Sequence, residues 1–333
     1  MMKNKLKDWV AKLPKAELHL HIEGSLEPEL MMSLAKKHAV DLPYSSIEEV
    51  IDAYDFHNLQ SFLDLYYLGA SVLRDEDDFY QLMSAYLQKC REDNVVHSEI
   101  MFDPQTHTER GIGFDIFMPG FVRAMQYAEQ EWGQSSLLIM SFLRHMSEES
   151  ALQTLEDAKD FLPHITAVGL DSSELGNPPQ KFARVFAKAK DLGLKRVAHA
   201  GEEGPPDYVW EATNILDVHR IDHGVRSIED ASLVEHLVNK QIPLTVCPLS
   251  NTKLKVFEHM SQHNILELLE QGLLVTVNAD DPSYFGGYLN DNYHALIDHL
   301  DICQEQLRQL VQNSFSASFL SDETKQHWLE QCN

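Results

Sequence analysis

The sequence predicts a (β/α)₈ barrel with extra helices after its first strand and at its C-terminus, on three observations. Eight short apolar, β-rich runs recur in order, amphipathic helical segments separate them, and 333 residues is a length that suits one such barrel. The competing architecture, an open doubly wound sheet, wants a Gly-rich phosphate loop after an early strand. No GxGxxG or Walker sequence occurs in the chain.

The first run is ELHLHI (17–22), and the gap that follows it is too long for one crossover helix. Residues 26–94 are therefore expected to form several helices beside the barrel mouth. Phe56, Phe62, Leu63 and Tyr66 within them read as helix packing, with capping of a flat ligand as the other reading. The later runs are VVHSEIMF (95–102), SLLIMSFL (136–143), ITAVGLD (165–171), KRVAHA (195–200), RIDHG (220–224), IPLTVC (242–247) and LLVTVN (273–278). Segments such as PQKFARVFAKAKDLG and IEDASLVEHLVNK carry the apolar stripe of connecting helices, and further helices are expected after residue 288. With no low-complexity stretch and no Pro/Gly/Ser linker, residues 1–333 read as a single domain.

Composition narrows the partners. A 44% hydrophobic, 24% charged chain has the makings of a globular core. The N-terminus MMKNKLKDWVAKLPK lacks the apolar stretch of a signal peptide, and no apolar run approaches the roughly 20 residues that span a bilayer. Cys90, Cys247, Cys303 and Cys332 are scattered without a CxxC pair, which fits a reducing cytoplasm. A formal charge of −25 repels polyphosphate backbones and anionic membrane surfaces, so the expected partner is a small molecule and not a nucleic-acid polymer or a membrane. Assembly into a homo-oligomer stays open.

In a barrel, chemistry belongs at the C-terminal ends of the strands. There the chain places His19-x-His21 at period two on one face, then His199 and Glu202 in HAGEEG, His223 after the sixth run, and Asp280-Asp281 before Pro282. A lone His at a strand end is usually structural, and His97, His107, His145 and His164 read that way. Two inward imidazoles on one apolar strand are harder to satisfy in a core. Three neutral imidazoles and a carboxylate suit zinc with a position left for water, and they disfavour magnesium or calcium. The HIE at 21–23 superficially matches the signature of cytidine-deaminase-type zinc enzymes, but those need a downstream P-C-x-x-C, and only CP (247–248) is present.

Taken together, ELHLHIEGS, HAGEEG, RIDHG, CPLSN and NADDP resemble the adenosine/adenine deaminase family of the amidohydrolase superfamily, in the family's order and across residues 17–282. The resemblance implies a zinc (β/α)₈ barrel that hydrolyses the 6-amino group of a purine. By position it implies that His19, His21, His199 and Asp280 are the ligands of one zinc. It likewise makes Glu202 the proton donor to N1, His223 the imidazole beside the attacking oxygen, and Asp281 the residue that reads N7. FDPQTHTERGIGFD, DDPSYFGGYL and GLDSSELG are more like the adenine-specific branch. Glu174, where the adenosine branch carries Gly, is expected to accept a proton from N9 or N3 of a free base, and Glu23 to narrow the ribose end. Deamination of adenosine or of an N6-substituted adenine is the alternative activity. A non-catalytic purine- or zinc-binding module is the alternative of a different class.

Overall fold

The computed structural model describes residues 2–56 and 58–332. Eight strands form the sheet: β1 (Lys15–His21), β2 (Val95–Phe102), β3 (Ser135–Leu143), β4 (Ile165–Asp171), β5 (Lys195–Ala200), β6 (Arg220–His223), β7 (Leu244–Val246) and β8 (Val275–Val277). Each pairs parallel with the next in chain order. The ring closes at its upper rim. The His21 N–H donates to the Asp280 carbonyl (3.0 Å), and the Asp280 N–H donates to the His19 carbonyl (3.2 Å). Helices return the chain between strands, so the sheet is buried on both faces and its strands read as nearly continuous apolar runs. This is the expected (β/α)₈ architecture.

The segment after β1 carries helices at Pro28–His38, Ile47–Asp52, Leu59–Ala70 and Glu76–Glu92, as expected. Asn58 caps the third of these with a reciprocal bond to Ser61, which fixes its start beside the barrel mouth. Helices at Leu289–His299, Gln304–Ala317 and Asp322–Gln331 follow the barrel. The middle one is tied beneath it by Asn313 Nδ2 donating to the Val275 carbonyl (2.8 Å). A helix at Met2–Lys12, not anticipated from sequence, precedes β1. The buried Lys15 ammonium closes it by donating to the carbonyls of Val10, Ala11 and Leu13. Deeper in the barrel, Arg220 is fully buried, pairs with Glu99 at 2.6 Å and donates to the Leu18 carbonyl. That pair pins the interior beneath the site and leaves the rim to the functional groups.

Candidate active site

The rim brings His19, His21, His199 and Asp280 together, with one donor atom from each inside a 4.8 Å cluster. All four side chains are buried. His19 Nδ1–H donates to Thr245 Oγ1 (3.0 Å), whose own hydroxyl donates to Asp222 (2.9 Å). That bond fixes the tautomer and leaves His19 Nε2 with a free lone pair and no hydrogen-bond partner. Nδ1 of His21 lies 3.4 Å from Asp171, and Nδ1 of His199 lies 3.6 Å from Asp222. The outer nitrogens of all three rings thus face polar partners, and the inner ones converge. Nε2 of His21 and Nε2 of His199 approach to 3.3 Å, and Asp280 Oδ1 sits 3.3 Å from His19 Nε2 and 3.5 Å from His21 Nε2. Buried lone pairs aimed at one point, each ring oriented by an outer partner, suit a divalent cation. The donor set fits the implied metal.

Electrostatics separate the rim groups. Burial alone would raise the Asp280 carboxyl, but the neighbouring His19, His223 and His21 imidazoles outweigh it and hold the group well below the usual range. Burial, then the Asp280 charge, pushes Asp281 well above it. Glu202 is likewise raised well above the usual carboxyl range by burial, then by Asp280 and Glu174. Its Oε1 has no partner, and its Oε2 lies 3.5 Å from His223 Nε2. The adjacent carboxyls of the NADDP motif are therefore pushed in opposite directions, Asp280 toward the ionised form and Asp281 toward the protonated one, as paired acids with divergent surroundings often are. Gly24 of ELHLHIEGS makes room for this arrangement, since a Cβ there would overlap the Asp281 carboxylate.

His223 is held neutral, its pKa lowered to about 3 chiefly by burial. Its tautomer is set from a distance. The Ile265 N–H donates to His263 Nδ1 (3.1 Å), which obliges His263 to carry its proton on Nε2 and donate it to Asn251 Oδ1 (3.3 Å). The Asn251 amide then donates to His223 Nδ1 (3.2 Å). His223 is left with an Nε2–H directed at the cavity, 3.5 Å from Glu202 and 3.6 Å from Asp280. Asn251 and His263 were not singled out in the sequence, although Asn251 ends the CPLSN motif. Asp222, Thr245, Asp171 and Asp103 were missed as well. Asp222 had a signal in its place directly before His223, and Asp171 and Asp103 had one in their places at the ends of the fourth and second runs.

The cavity above these groups has an empty volume of about 400 Å³ including its mouth. Leu59, Phe62, Leu63, Leu254 and Phe285 supply its apolar walls, while Tyr66, Tyr67, Asp103, Asp171 and Ser172 form a polar end. Phe62, Leu63 and Tyr66 therefore do more than pack the inserted helices. Phe56 stays behind them, against Phe62 and Phe285.

Two expected substrate contacts are corrected. Glu174 is buried outside the cavity wall, and its carboxylate is spent on backbone. Oε1 accepts the Gly201 N–H (2.7 Å), and Oε2 accepts those of Glu202 (3.1 Å), Glu203 (2.8 Å) and Gly204 (2.8 Å). Four successive amides thus cradle one anion, and Gly204 permits it, because a Cβ there would sit 2.5 Å from Glu174 Oε1. Glu23 is likewise fully buried behind the wall. It accepts from His107 Nε2 (2.7 Å) and the Asp103 N–H (3.2 Å), lies 3.3 Å from the Tyr66 hydroxyl oxygen, and burial raises its pKa to about 6.

Fold and site define a hydrolase of the amidohydrolase superfamily. The chain belongs to the adenosine deaminase family, whose model matches residues 14–333. It is 59% identical to an adenine deaminase of Hahella chejuensis over 96% of each chain. It is 60% identical to one of Acinetobacter baylyi over 96% of this chain and 97% of that one. Among solved structures it is similar to the adenine deaminase of Arthrobacter aurescens, with a TM-score of 0.94 and 48% identity over 96% of this chain and 98% of that one. No helix among the described residues is long and apolar enough to cross a membrane.

Proposed function

We propose that the chain hydrolyses adenine to hypoxanthine and ammonia, with one zinc ion held by His19, His21, His199 and Asp280. The observation that carries this reading is the buried Glu202, whose unpartnered oxygen shares the cavity with the convergent set of imidazoles and carboxylate, and whose burial favours the protonated form. The relatives named adenine deaminase support free adenine over its nucleoside.

A divalent cation bound there supplies the Lewis acidity that brings the pKa of water toward neutrality. The chain's own residues do the rest. Glu202 delivers its proton to N1, which makes C6 electrophilic. Asp280, ionised, takes the proton of the attacking water, and His223 donates its Nε2–H to the charge that develops on the oxygen added at C6. Asp281, pushed toward its protonated form by burial and by Asp280, donates to N7. The proton collected by Asp280 passes to the amine, the C6–N6 bond breaks and ammonia leaves; as the C6 carbonyl forms, the hydrogen left on its oxygen is released by way of Asp280 to Glu202, which restores the acid. The apolar walls hold the ring flat and exclude bulk water from the acid. Ammonia release from adenine, adenosine and N6-methyladenine by metal-replete enzyme tests the reading. Equal or better turnover of adenosine would overturn the substrate and leave the chemistry standing.

A further inference from the structure

With Glu174 committed to backbone, something else must face the edge of the base that carries N9. We infer that Asp103 reads that edge and excludes purines substituted at N9, an inference that rests on the adenine reading above. The strand order fixes where to look. Around the rim, Asp281 follows β8, Asp103 follows β2, Asp171 ends β4, and Glu202 follows β5. A purine with C6 at the ligand cluster, N1 at Glu202 and N7 at Asp281 has its remaining edge toward β1–β4. C8 and N9 continue round from N7 toward β1 and β2, and C2 and N3 continue from N1 toward β4. Asp103 stands at the end of β2, lines the cavity and is 3% exposed.

Its two oxygens are not equivalent. Oδ2 accepts the Tyr66 hydroxyl (2.8 Å), and Oδ1 has no hydrogen-bond partner. Position separates it from its neighbours: Asp171, whose oxygens are also without a hydrogen-bond partner, ends β4 on the C2–N3 side and lies nearer Nδ1 of His21 (3.4 Å) than Asp103 Oδ1 does (4.0 Å), while Ser172 is bonded to the Tyr67 hydroxyl (3.1 Å) and to His145 (2.8 Å). A buried acceptor with no donor, on a cavity wall, is an expensive vacancy unless a ligand fills it. Free adenine offers an N9–H at that edge. A nucleoside offers a carbon substituent instead, which leaves the acceptor empty and meets Tyr66 and, behind it, the buried Glu23. Tyr66 comes from the inserted helix Leu59–Ala70, so the insert builds the discriminating end of the pocket.

The test compares adenine with 9-methyladenine, which keeps N1, C6 and N7 and lacks the N9 donor. Wild-type enzyme is expected to favour adenine by at least about 10³-fold in kcat/KM, the asymmetry of a site built to bond a group its competitor lacks. Asp103→Ala is expected to lose about 10- to 100-fold on adenine, to keep its metal, and to narrow the ratio between the two substrates by about the same factor. Equal losses on both substrates with an unchanged ratio would mean that Asp103 only supports the fold, and the inference falls. Wild-type enzyme that turns over 9-methyladenine within tenfold of adenine overturns it without any variant. No ammonia from adenine at all counts against the function above, a result distinct from either.

Discussion

Glu174→Gln separates the two roles this residue could have. The native carboxylate accepts four N–H groups, three on Oε2 and one on Oε1. A glutamine has one acceptor oxygen, so at best it keeps the three bonds of Glu202, Glu203 and Gly204 and turns its NH₂ toward the Gly201 N–H. That replaces a charge-assisted bond by a donor facing a donor, and it removes the charge from the other three. Losing one such bond and stranding a buried N–H costs about 2–4 kcal/mol. The loop concerned holds Glu202, so part of that loss falls on placement of the acid; if all of it did, kcat would drop by roughly 30- to 1000-fold. The assay is ammonia release at saturating adenine, with Tm and metal content measured on the same sample. Both kcat and Tm should fall, and the preference for adenine over adenosine should not change. A variant with native Tm and kcat but relaxed preference would refute the reasoning, because it would put the carboxylate against the base after all.

Glu202→Gln keeps the shape of the acid but has no proton to give, so kcat should fall at least about 10²-fold with metal retained, while Glu203→Gln leaves it nearly unchanged. The active form of Glu202 is protonated and its pKa is raised by burial, so activity should persist well above the usual carboxyl range and decline as pH rises through that raised value. Asn251→Leu removes the donor that fixes the His223 tautomer. Turnover should drop by about 10²–10⁴-fold with little change in KM, as when an imidazole loses its orienting partner elsewhere, and a large change in KM alone would argue against the relay. His199→Ala and Asp280→Ala should lower metal content and abolish turnover. The affinity for zinc should weaken as pH falls and protons compete for the ligands, and full metal content in a His19→Ala/His21→Ala double variant would rule out the site.

The barrel was legible because its signal is a period. All eight strands begin and end within two residues of the runs that mark them. The last two are shorter than their apolar runs for local reasons. Pro243 has no N–H for the ladder and contributes only its carbonyl, to Ile221, while Asn278 uses its side chain to accept the Leu18 N–H. The convergence of His19, His21, His199 and Asp280, too, was legible at strand ends, where direction is fixed by backbone. Glu174 shows where such legibility stops. Its place in the chain follows β4 at the rim, but a side chain with three rotatable bonds reaches sideways to the next loop, and no pattern in the sequence encodes that choice. Asp103 is the converse, an ordinary Asp-Pro turn whose meaning depends on a tyrosine from an inserted helix 37 residues away.

The backbone carries a second mark of the site. Ser172 (φ 73°), His223 (φ 63°) and Asp280 (φ 65°) are all left-handed, and all lie at the C-terminal ends of strands β4, β6 and β8. None is glycine, so each conformation costs on the order of 1–3 kcal/mol unless its surroundings impose it. The surroundings do so visibly. Asp280 is clamped to β1 through both its N–H and its carbonyl, Ser172 through its hydroxyl to Tyr67 and His145, and His223 through Asn251. A strand that simply continued would alternate its side chains in and out of the barrel. The left-handed step breaks that alternation, and at β8 it lets two successive carboxyls, Asp280 and Asp281, both line the one cavity. The same turn that strains the chain is what allows adjacent acids, with opposite pKa shifts, to face one cavity.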